Sequence, residues 1–235
     1  MEMVFDLKGK VARKMAKIQE MKKQRGVTLL EIIIVLGIIG IIAAGVVILA
    51  NRAFTAQDLS DVQDNLTSVR TAMTEAYKDE GVYPKGESVK GLSKSTIAAS
   101  SSTSPIVILV RMGKIAPEEA FNGISNDAFY ISNAKTDKSD SENKGFVIVV
   151  NGLAQEDCRN LISQSGNQWD FVSTITGAGA GKDPAVTEGM SIYDGAIASG
   201  VLKNLTTDDI TATEITNSAV CSGAGATNGV VFGSK

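Results

Sequence analysis

The most unusual ionisable side chain in this 235-residue sequence is Glu31, a single carboxylate at the entrance of a long apolar block. Residues 32–50 follow it without a charged or strongly polar side chain. An ionisable group at such a position is costly unless it finds a partner, so Glu31 is a candidate functional residue. Gly26 lies five residues earlier, between a basic segment and the apolar block. Because glycine has no Cβ, it offers a protease a flexible, extended backbone at that place.

The composition excludes most other catalytic chemistry. The sequence contains no histidine, which rules out Ser-His-Asp and Cys-His nucleophiles and every histidine-based zinc site. Its two cysteines, Cys158 and Cys221, lie in the part of the chain that the charge pattern places outside the cytoplasm, where thiols oxidise. Such a pair indicates one disulfide rather than a metal site or a nucleophile. We therefore expect no enzyme activity, no metal and no cofactor.

The apolar block has the length and composition of a membrane-spanning helix. At 1.5 Å per residue its 19 residues extend about 28 Å, close to the hydrocarbon thickness of a bilayer. Residues 1–26 carry a net charge of +5, and the remainder carries −8 from 15 basic against 23 acidic residues. This asymmetry predicts a cytoplasmic N-terminus and an external bulk. Because the bulk is acidic, we expect no nucleic-acid partner.

Residues 1–26 have the character of the basic region of an export signal, although they are long for one. An ordinary secretory signal would be cut after its apolar block, where residues 50–56 offer only weak small-x-small sites. If the chain is cut at Gly26 instead, the apolar block stays with the mature protein. Both kinds of cleavage, and an uncleaved chain, remain open at this point.

Beyond residue 50 the apolar pattern narrows to one face. Apolar residues recur at intervals of three and four between residues 59 and 76, while charged residues line the rest. With no proline to interrupt it, we predict one helix from about Thr28 to Asp79, about 78 Å long, that ends at Gly81. Its first half would face lipid, and its second half would pack on a globular head.

The head is predicted to be α+β, with an antiparallel sheet and helices to one side. Strands are predicted at residues 128–132, 145–151, 169–175 and 230–232. The second of these is apolar on both faces and therefore central. One helix is predicted over residues 153–165, carrying Cys158. A short helix is predicted after Ser104-Pro105, although β-branched residues 106–110 would also suit a strand.

Two short motifs in the head suggest binding sites but have simpler explanations. The run GAGAGK at residues 177–182 lacks the first glycine and the final Ser or Thr of a phosphate-binding loop, so we predict a flexible loop. Asp208 and Asp209 could form half of a calcium site, as in some pseudopilins, but a turn or a helix N-terminus explains them more simply.

The N-terminal motif resembles the type III signal of type IV pilins. It begins at Gly26 as GVTLLE and continues as IIIVLG. The leader length, and valine rather than phenylalanine at position 27, resemble the type IVb branch. Further matches follow in the right order: GVYP from residue 81, LVRMGKI from residue 109, NGL from residue 151 and GVVFG from residue 229. Together these motifs resemble the toxin-coregulated pilin subgroup.

The resemblance implies the type IV pilin fold, with a long N-terminal α-helix packed on an antiparallel β-sheet head. It implies that a prepilin peptidase cuts after Gly26 and methylates the new amine of Val27, so that residues 1–26 are a leader. Residues 27–80 would then form the helix, with 27–50 as membrane span and filament core. Residues 81–235 would form the head, with the disulfide-bounded region 158–221 exposed.

The implied function is that of the major structural subunit of a type IVb pilus. Subunits would pass from the inner membrane, with the N-terminus cytoplasmic and the head periplasmic, into an extracellular filament. The implied partners are other copies of the chain, the prepilin peptidase, the inner-membrane assembly platform with its ATPase, and an outer-membrane secretin. The implied uses are adherence, bacterial aggregation and colonisation.

Two other functions share part of this pattern. A minor pilin or a type II secretion pseudopilin would carry the same N-terminal motif at lower copy number. A bitopic membrane protein would keep residues 1–26 attached.

Glu31 lies four residues after Val27, on the same helix face as the amine that cleavage at Gly26 would expose. We therefore predict that Glu31 pairs with such an amine, its own or a neighbour's, and fixes the register of assembly. A boundary carboxylate without this role would simply stay hydrated.

Overall fold

The computed structural model describes residues 27–139, 142–194, 200–207 and 209–235. The predicted leader, including Gly26, lies outside the described residues, as does Asp208. The chain divides into two units, Met1–Arg52 and Ala53–Lys235. The second unit contains the whole sheet together with the second half of the long helix.

The longest element is the helix α1, Leu29–Tyr77, and a 3-10 turn at Lys78–Glu80 follows it directly. The helix ends at Gly81, which has a left-handed backbone conformation with φ +76°. Glycine adopts this conformation without a steric penalty, and it is the usual way to end a helix. These bounds are close to those predicted from the sequence.

In the first unit, the apolar side chains of α1 have no cover. Its large apolar residues from Leu29 to Leu49 are all between 48% and 80% exposed. The most apolar window of the helix has a mean hydropathy of 3.3, and none of that window is buried. By length and composition this part of α1 can cross a membrane.

In the second unit, α1 presents one apolar face to the core. Seven of its residues there are buried: Leu59, Val62, Leu66, Val69, Ala72, Met73 and Tyr77. They follow the spacing of three and four that the sequence shows, so the predicted stripe is a core face. Burying each large member of this set contributes about 1.5 to 3 kcal/mol.

The sheet of the second unit has six strands within the described residues. They are β1 Tyr130–Lys135, β2 Gly145–Leu153, β3 Phe171–Thr176, β4 Met190–Ser191, β5 Val201–Lys203 and β6 Asn228–Ser234. Their order in the sheet is β4-β1-β2-β6-β3-β5. β2 is buried along its whole length and has a neighbour on each side, as predicted for a central strand.

The predicted α+β class and long N-terminal helix are confirmed, but the sheet is not purely antiparallel. The pairs β1–β2, β2–β6, β6–β3 and β3–β5 are antiparallel, whereas β4 lies parallel to β1 through Ala134 and Lys135. β4 reaches this edge after a long excursion through the rest of the head, so no hairpin fixes its direction. The strands β4 and β5 were not predicted, because two or three residues give no alternating pattern.

Three further helices belong to the second unit: α2 Pro105–Arg111, α3 Gln155–Ser165 and α4 Ala212–Ile215. α2 begins with proline at its first position, which decides the ambiguity over residues 106–110 in favour of a helix. α3 begins two residues later than predicted because β2 continues to Leu153.

The two faces of the sheet are covered differently. On one face Phe146, Ile148 and Val150 of β2 share a core with buried residues of α1, α2 and α3. On the other face Val147 and Val149 lie in a smaller cluster, against which loop side chains such as those of Val186 and Leu205 pack. The helices therefore lie to one side of the sheet, as predicted.

Candidate functional site

The N-terminal end of α1 is capped by Thr28. Its Oγ1 accepts a hydrogen bond from the backbone N–H of Glu31 at 3.2 Å, and its carbonyl oxygen accepts one from Ile32 N–H at 3.2 Å. We did not predict this role, although Thr followed three residues later by Glu is a known capping signal. The cap fixes the first helical turn, in which Glu31 lies.

The Glu31 side chain is exposed and has no ion-pair partner among the described residues. Val27 is 63% exposed and lies one helical turn earlier, so the two positions adjoin on one face. The first turn of a helix also favours a negative charge. Because the described part of the subunit supplies no cation, the pairing of Glu31 with a Val27 amine stays a prediction.

The glycines of the apolar half of α1 are not required by anything in the described part of the subunit. A Cβ placed on Gly37, Gly40 or Gly45 would have no other atom within 4 Å. Each glycine lowers helix stability by about 1 kcal/mol relative to alanine. The small side chains here therefore leave room along the helix for something other than the described residues.

Arg70 connects α1 to the end of the sheet. Its guanidinium donates to the carbonyl oxygen of Gln168 at 2.7 Å and to Ser234 Oγ at 3.1 Å. It lies 3.7 Å from the Asp170 carboxylate and 4.7 Å from the centre of the Trp169 ring. We expected Arg70 only to line the polar side of the helix, since nothing in its sequence neighbourhood indicates partners about 100 residues away.

The predicted disulfide between Cys158 and Cys221 is confirmed. Cys158 lies on α3 and Cys221 follows α4, with their Cα atoms 6.0 Å apart, and both residues are fully buried. The bond closes a loop in which the two cysteines are 63 positions apart, and the chain-entropy account, which is model-dependent, gives about 4 kcal/mol for a loop of that size. Cys221 has φ +55°, a conformation uncommon outside glycine, asparagine and aspartate.

Hydrogen bonds hold the chain on both sides of Cys221. Arg159 donates to the carbonyl oxygens of Asn217 and Val220, each at 3.4 Å. Beyond the cysteine, the Asn228 side chain accepts from Gly223 N–H at 2.6 Å and donates to the Leu153 carbonyl oxygen at 3.1 Å. The disulfide is thus one part of a network that joins α3, the end of β2 and the start of β6.

The GAGAGK segment, residues 177–182, is a loop, but it is anchored rather than free. The backbone of Ala178 bonds to Gly152 and Thr227, at 2.7 and 2.9 Å. Gly181 N–H donates to Asp127 Oδ2 at 2.7 Å, and that oxygen also accepts from the Asn151 side chain at 2.7 Å. We predicted a flexible loop because its glycines carry no partners of their own. The partners come instead from distant backbone and from Asp127.

The described residues show no arrangement suited to a metal or to catalysis. They contain no group of three or more His, Cys, Asp or Glu residues that could hold a metal ion. Asp209, half of the weak calcium candidate, accepts from Lys203 Nζ at 2.8 Å. Asn204 Oδ1 nearby accepts from the backbone and hydroxyl of Thr206, which is the geometry of a turn.

Two protein families match this sequence. The family described as toxin-coregulated pilus subunit TcpA matches residues 108–233, more than half of the chain. The prokaryotic N-terminal methylation motif matches residues 21–47, which include the capped start of α1 and Glu31.

Individual relatives agree with the family matches. A toxin coregulated pilin of Vibrio cholerae serotype O1 (El Tor Inaba) is 36% identical over 201 residues, covering 85% of this chain and 84% of the relative. A second Vibrio cholerae toxin coregulated pilin is 34% identical over 241 residues, covering 97% and 99%. The crystal structure of TcpA, a type IV pilin from the El Tor biotype, superposes with a TM-score of 0.54 at 26% identity, covering 76% of this chain and 99% of that one.

Proposed function

Because this chain belongs to the toxin-coregulated pilin family of type IVb pilins, and is thus a pilus subunit, we propose that it is the major subunit of its pilus. Members of this family are structural subunits, so the expectation that the chain is not an enzyme is confirmed. The finer proposal concerns how the chain is processed, how it assembles and what the filament does.

The exposed apolar half of α1 is the observation that carries this proposal. Its large apolar side chains, from Leu29 to Leu49, are at least 48% exposed, which is stable only in lipid or against other apolar surfaces. A bilayer supplies that cover before assembly, with the basic N-terminus in the cytoplasm and the head in the periplasm. In the filament, the same segments of other copies supply it.

Maturation is proposed to occur at Gly26. The peptidase cuts the Gly26–Val27 bond, releases residues 1–26 and methylates the Val27 amine. The match to the N-terminal methylation motif over residues 21–47 supports this step. The new cationic amine lies one turn before Glu31, at the capped start of α1.

Glu31 is proposed to pair with the Val27 amine of a neighbouring subunit. A carboxylate at the bilayer boundary costs a few kcal/mol unless a cation lies nearby. A subunit that docks out of register would bury both charges unpaired, so one contact selects the axial position. The exposed position of Glu31 and its lack of a partner among the described residues support this proposal.

The proposed assembly partners follow from this route. They are other copies of the chain, the prepilin peptidase, an inner-membrane platform with its ATPase, and an outer-membrane secretin. Adherence, aggregation and colonisation are the proposed uses of the filament. The surface available for them is the region 158–221, which the Cys158–Cys221 disulfide and the Arg159 contacts hold in shape.

The test is to purify the filaments from wild-type cells and from cells that lack this chain. We expect filaments only in the wild type, built almost entirely from a chain that begins at N-methylated Val27, as measured by intact mass. A full-length membrane form with the leader attached would contradict the processing step. Filaments built mainly from another subunit would indicate a minor pilin or pseudopilin instead.

A further inference from the structure

Two charged surfaces of opposite sign lie at different heights on the second unit of this subunit. The first, which we call the lysine notch, is a cavity of about 280 Å³ lined by Thr74, Tyr77, Lys78, Gly81, Tyr83, Lys144 and Lys235. The second, which we call the acidic face, consists of Asp58, Asp61 and Asp64 on α1 with the adjacent Glu118, all exposed.

The lysine notch has an apolar floor and a cationic rim. The buried rings of Tyr77 and Tyr83 lie 6.3 Å apart between centroids. Lys78 and Lys235 are exposed, and neither has an ion pair within the part of the chain that the structure describes. Asp79 and Glu80 follow Lys78 in the chain but do not line the notch.

The tyrosines of the notch add neutral hydrogen-bonding groups to this rim. Burial raises the pKa of Tyr77, and the nearby Glu80 carboxylate raises it further. Burial also raises the pKa of Tyr83, against a hydrogen bond with Thr74 that lowers it. Both phenols therefore stay protonated at neutral pH and can act as donors.

The acidic face has the complementary properties. Asp58, Asp61 and Asp64 recur every three residues, which places them on one side of α1. None of the three, nor Glu118, has an ion pair among the described residues. Lys94 is the one cation in the lining of the adjoining cavity. Carboxylates grouped in this way repel one another until a cationic partner covers them.

We propose that the acidic face of one subunit docks against the lysine notch of another copy of this chain. This inference rests on the proposed polymerisation and specifies one contact between heads. The two surfaces are different patches of the same chain, so the contact is heterologous and extends into a filament rather than closing as a dimer. Opposite charge also favours the correct neighbour over a like-charged approach.

The positions along α1 determine which neighbour is contacted. Lys78 follows Asp61 and Asp64 by 17 and 14 residues, which corresponds to an axial separation of about 21 to 26 Å. In a polymer of parallel copies, the contacting subunits are therefore displaced by that distance along the helix direction.

Charge reversal tests the contact in the full-length chain, expressed in cells that have the assembly machinery but lack their own pilin. We expect Asp61→Lys with Asp64→Lys, or Lys78→Glu with Lys235→Glu, to reduce sheared pili about tenfold. All four changes together should restore pili to within about threefold of wild type, because the pair is inverted rather than lost. The controls Lys182→Glu and Glu188→Lys alter exposed charges elsewhere in the head and should leave pilus yield unchanged.

Cross-linking gives an independent measurement. Asp64→Cys and Lys78→Cys are about 21 Å apart within one chain, too far for a disulfide, so a bond between them joins two subunits. Oxidised pili of the double variant should give a ladder of linked subunits, whereas each single variant should give none.

The proposal is overturned if the reversed pairs make normal pili, if the fourfold variant stays defective while its mature subunit accumulates normally, or if no ladder forms. Linked dimers from a single cysteine variant would indicate a symmetric contact and overturn it as well. Absence of filaments in the wild type would instead contradict the proposed function itself.

Discussion

Replacement of Arg70 by alanine is expected to loosen the junction between α1 and the end of the sheet. The change removes the donors to the Gln168 carbonyl oxygen and Ser234 Oγ, and it uncovers the Trp169 ring. Trp169 is only 4% exposed in the folded head and is packed against Phe232, with ring centres 5.2 Å apart. A loss at this point therefore reaches the central strand β6.

The magnitude can be built from the individual contacts. A hydrogen bond from a charged donor contributes about 1.5 to 3 kcal/mol, and a partly exposed cation–π contact about 0.5 to 1 kcal/mol. The ion pair with Asp170 adds less than about 1 kcal/mol, because both side chains are about 30% exposed and solvent screens them. These contributions overlap, so we expect a total loss of about 2 to 4 kcal/mol.

Urea unfolding of the full chain in detergent measures this loss, and Trp169 is a built-in probe because it is the single tryptophan of the sequence. Arg70→Lys keeps the charge but loses the planar fork and the stacking, so it should recover less than half of the effect. The matched control is Arg111→Ala, at the exposed end of α2, which should change the free energy of unfolding by less than about 0.5 kcal/mol. If Arg70→Ala is no less stable than this control, the junction does not stabilise the head.

Four further outcomes are expected. Gly26→Val should retain the 26-residue leader and abolish filaments, and mature protein of normal mass would refute the proposed cleavage site. Glu31→Val should be inserted and cleaved normally but accumulate in the inner membrane with few pili by electron microscopy; wild-type pilus numbers would rule out the charge-pairing step. Cys158→Ser should lower the free energy of unfolding by about 4 kcal/mol and reduce pilus yield, whereas unchanged protease resistance would argue against a structural role. Glu214 accepts from the Thr211 N–H and hydroxyl at 2.7 and 2.8 Å, which lowers the pKa of its carboxyl below its ordinary 4.5. Its stabilising effect should therefore be present at neutral pH and vanish as pH falls through that lowered value, so Glu214→Gln should reduce the melting temperature at pH 7 but not at pH 2.

The elements that could be predicted from the sequence are those with long or strong patterns. α1 has an apolar stripe over several turns, and β2 has five consecutive apolar residues, so neighbouring elements could not change their type. α2 was ambiguous until Pro105 and its packing decided it. α4 was missed, although Thr211 and Glu214 have the spacing of a capping box.

The contacts that shape the head could not be predicted in the same way. Arg70 and Asp127 find their partners about 100 and 54 residues away, respectively, and a single charged residue gives no periodic signal. β4 and β5 are two and three residues long, so only their neighbours in the sheet make them strands. The disulfide was predictable because two cysteines in an oxidising compartment leave one pairing.

The position of β6 in the sheet has a consequence for the order of folding. It is the last strand along the chain, yet it lies between β2 and β3 and bonds to both. Without residues 228–234 the sheet would be two separate pieces, β4-β1-β2 and β3-β5. The head therefore cannot complete its hydrogen bonding while those residues are still within the ribosome or the export channel. A subunit interrupted late in synthesis would retain α1 but lack a closed core, and it would be exposed to proteases before it could reach a filament.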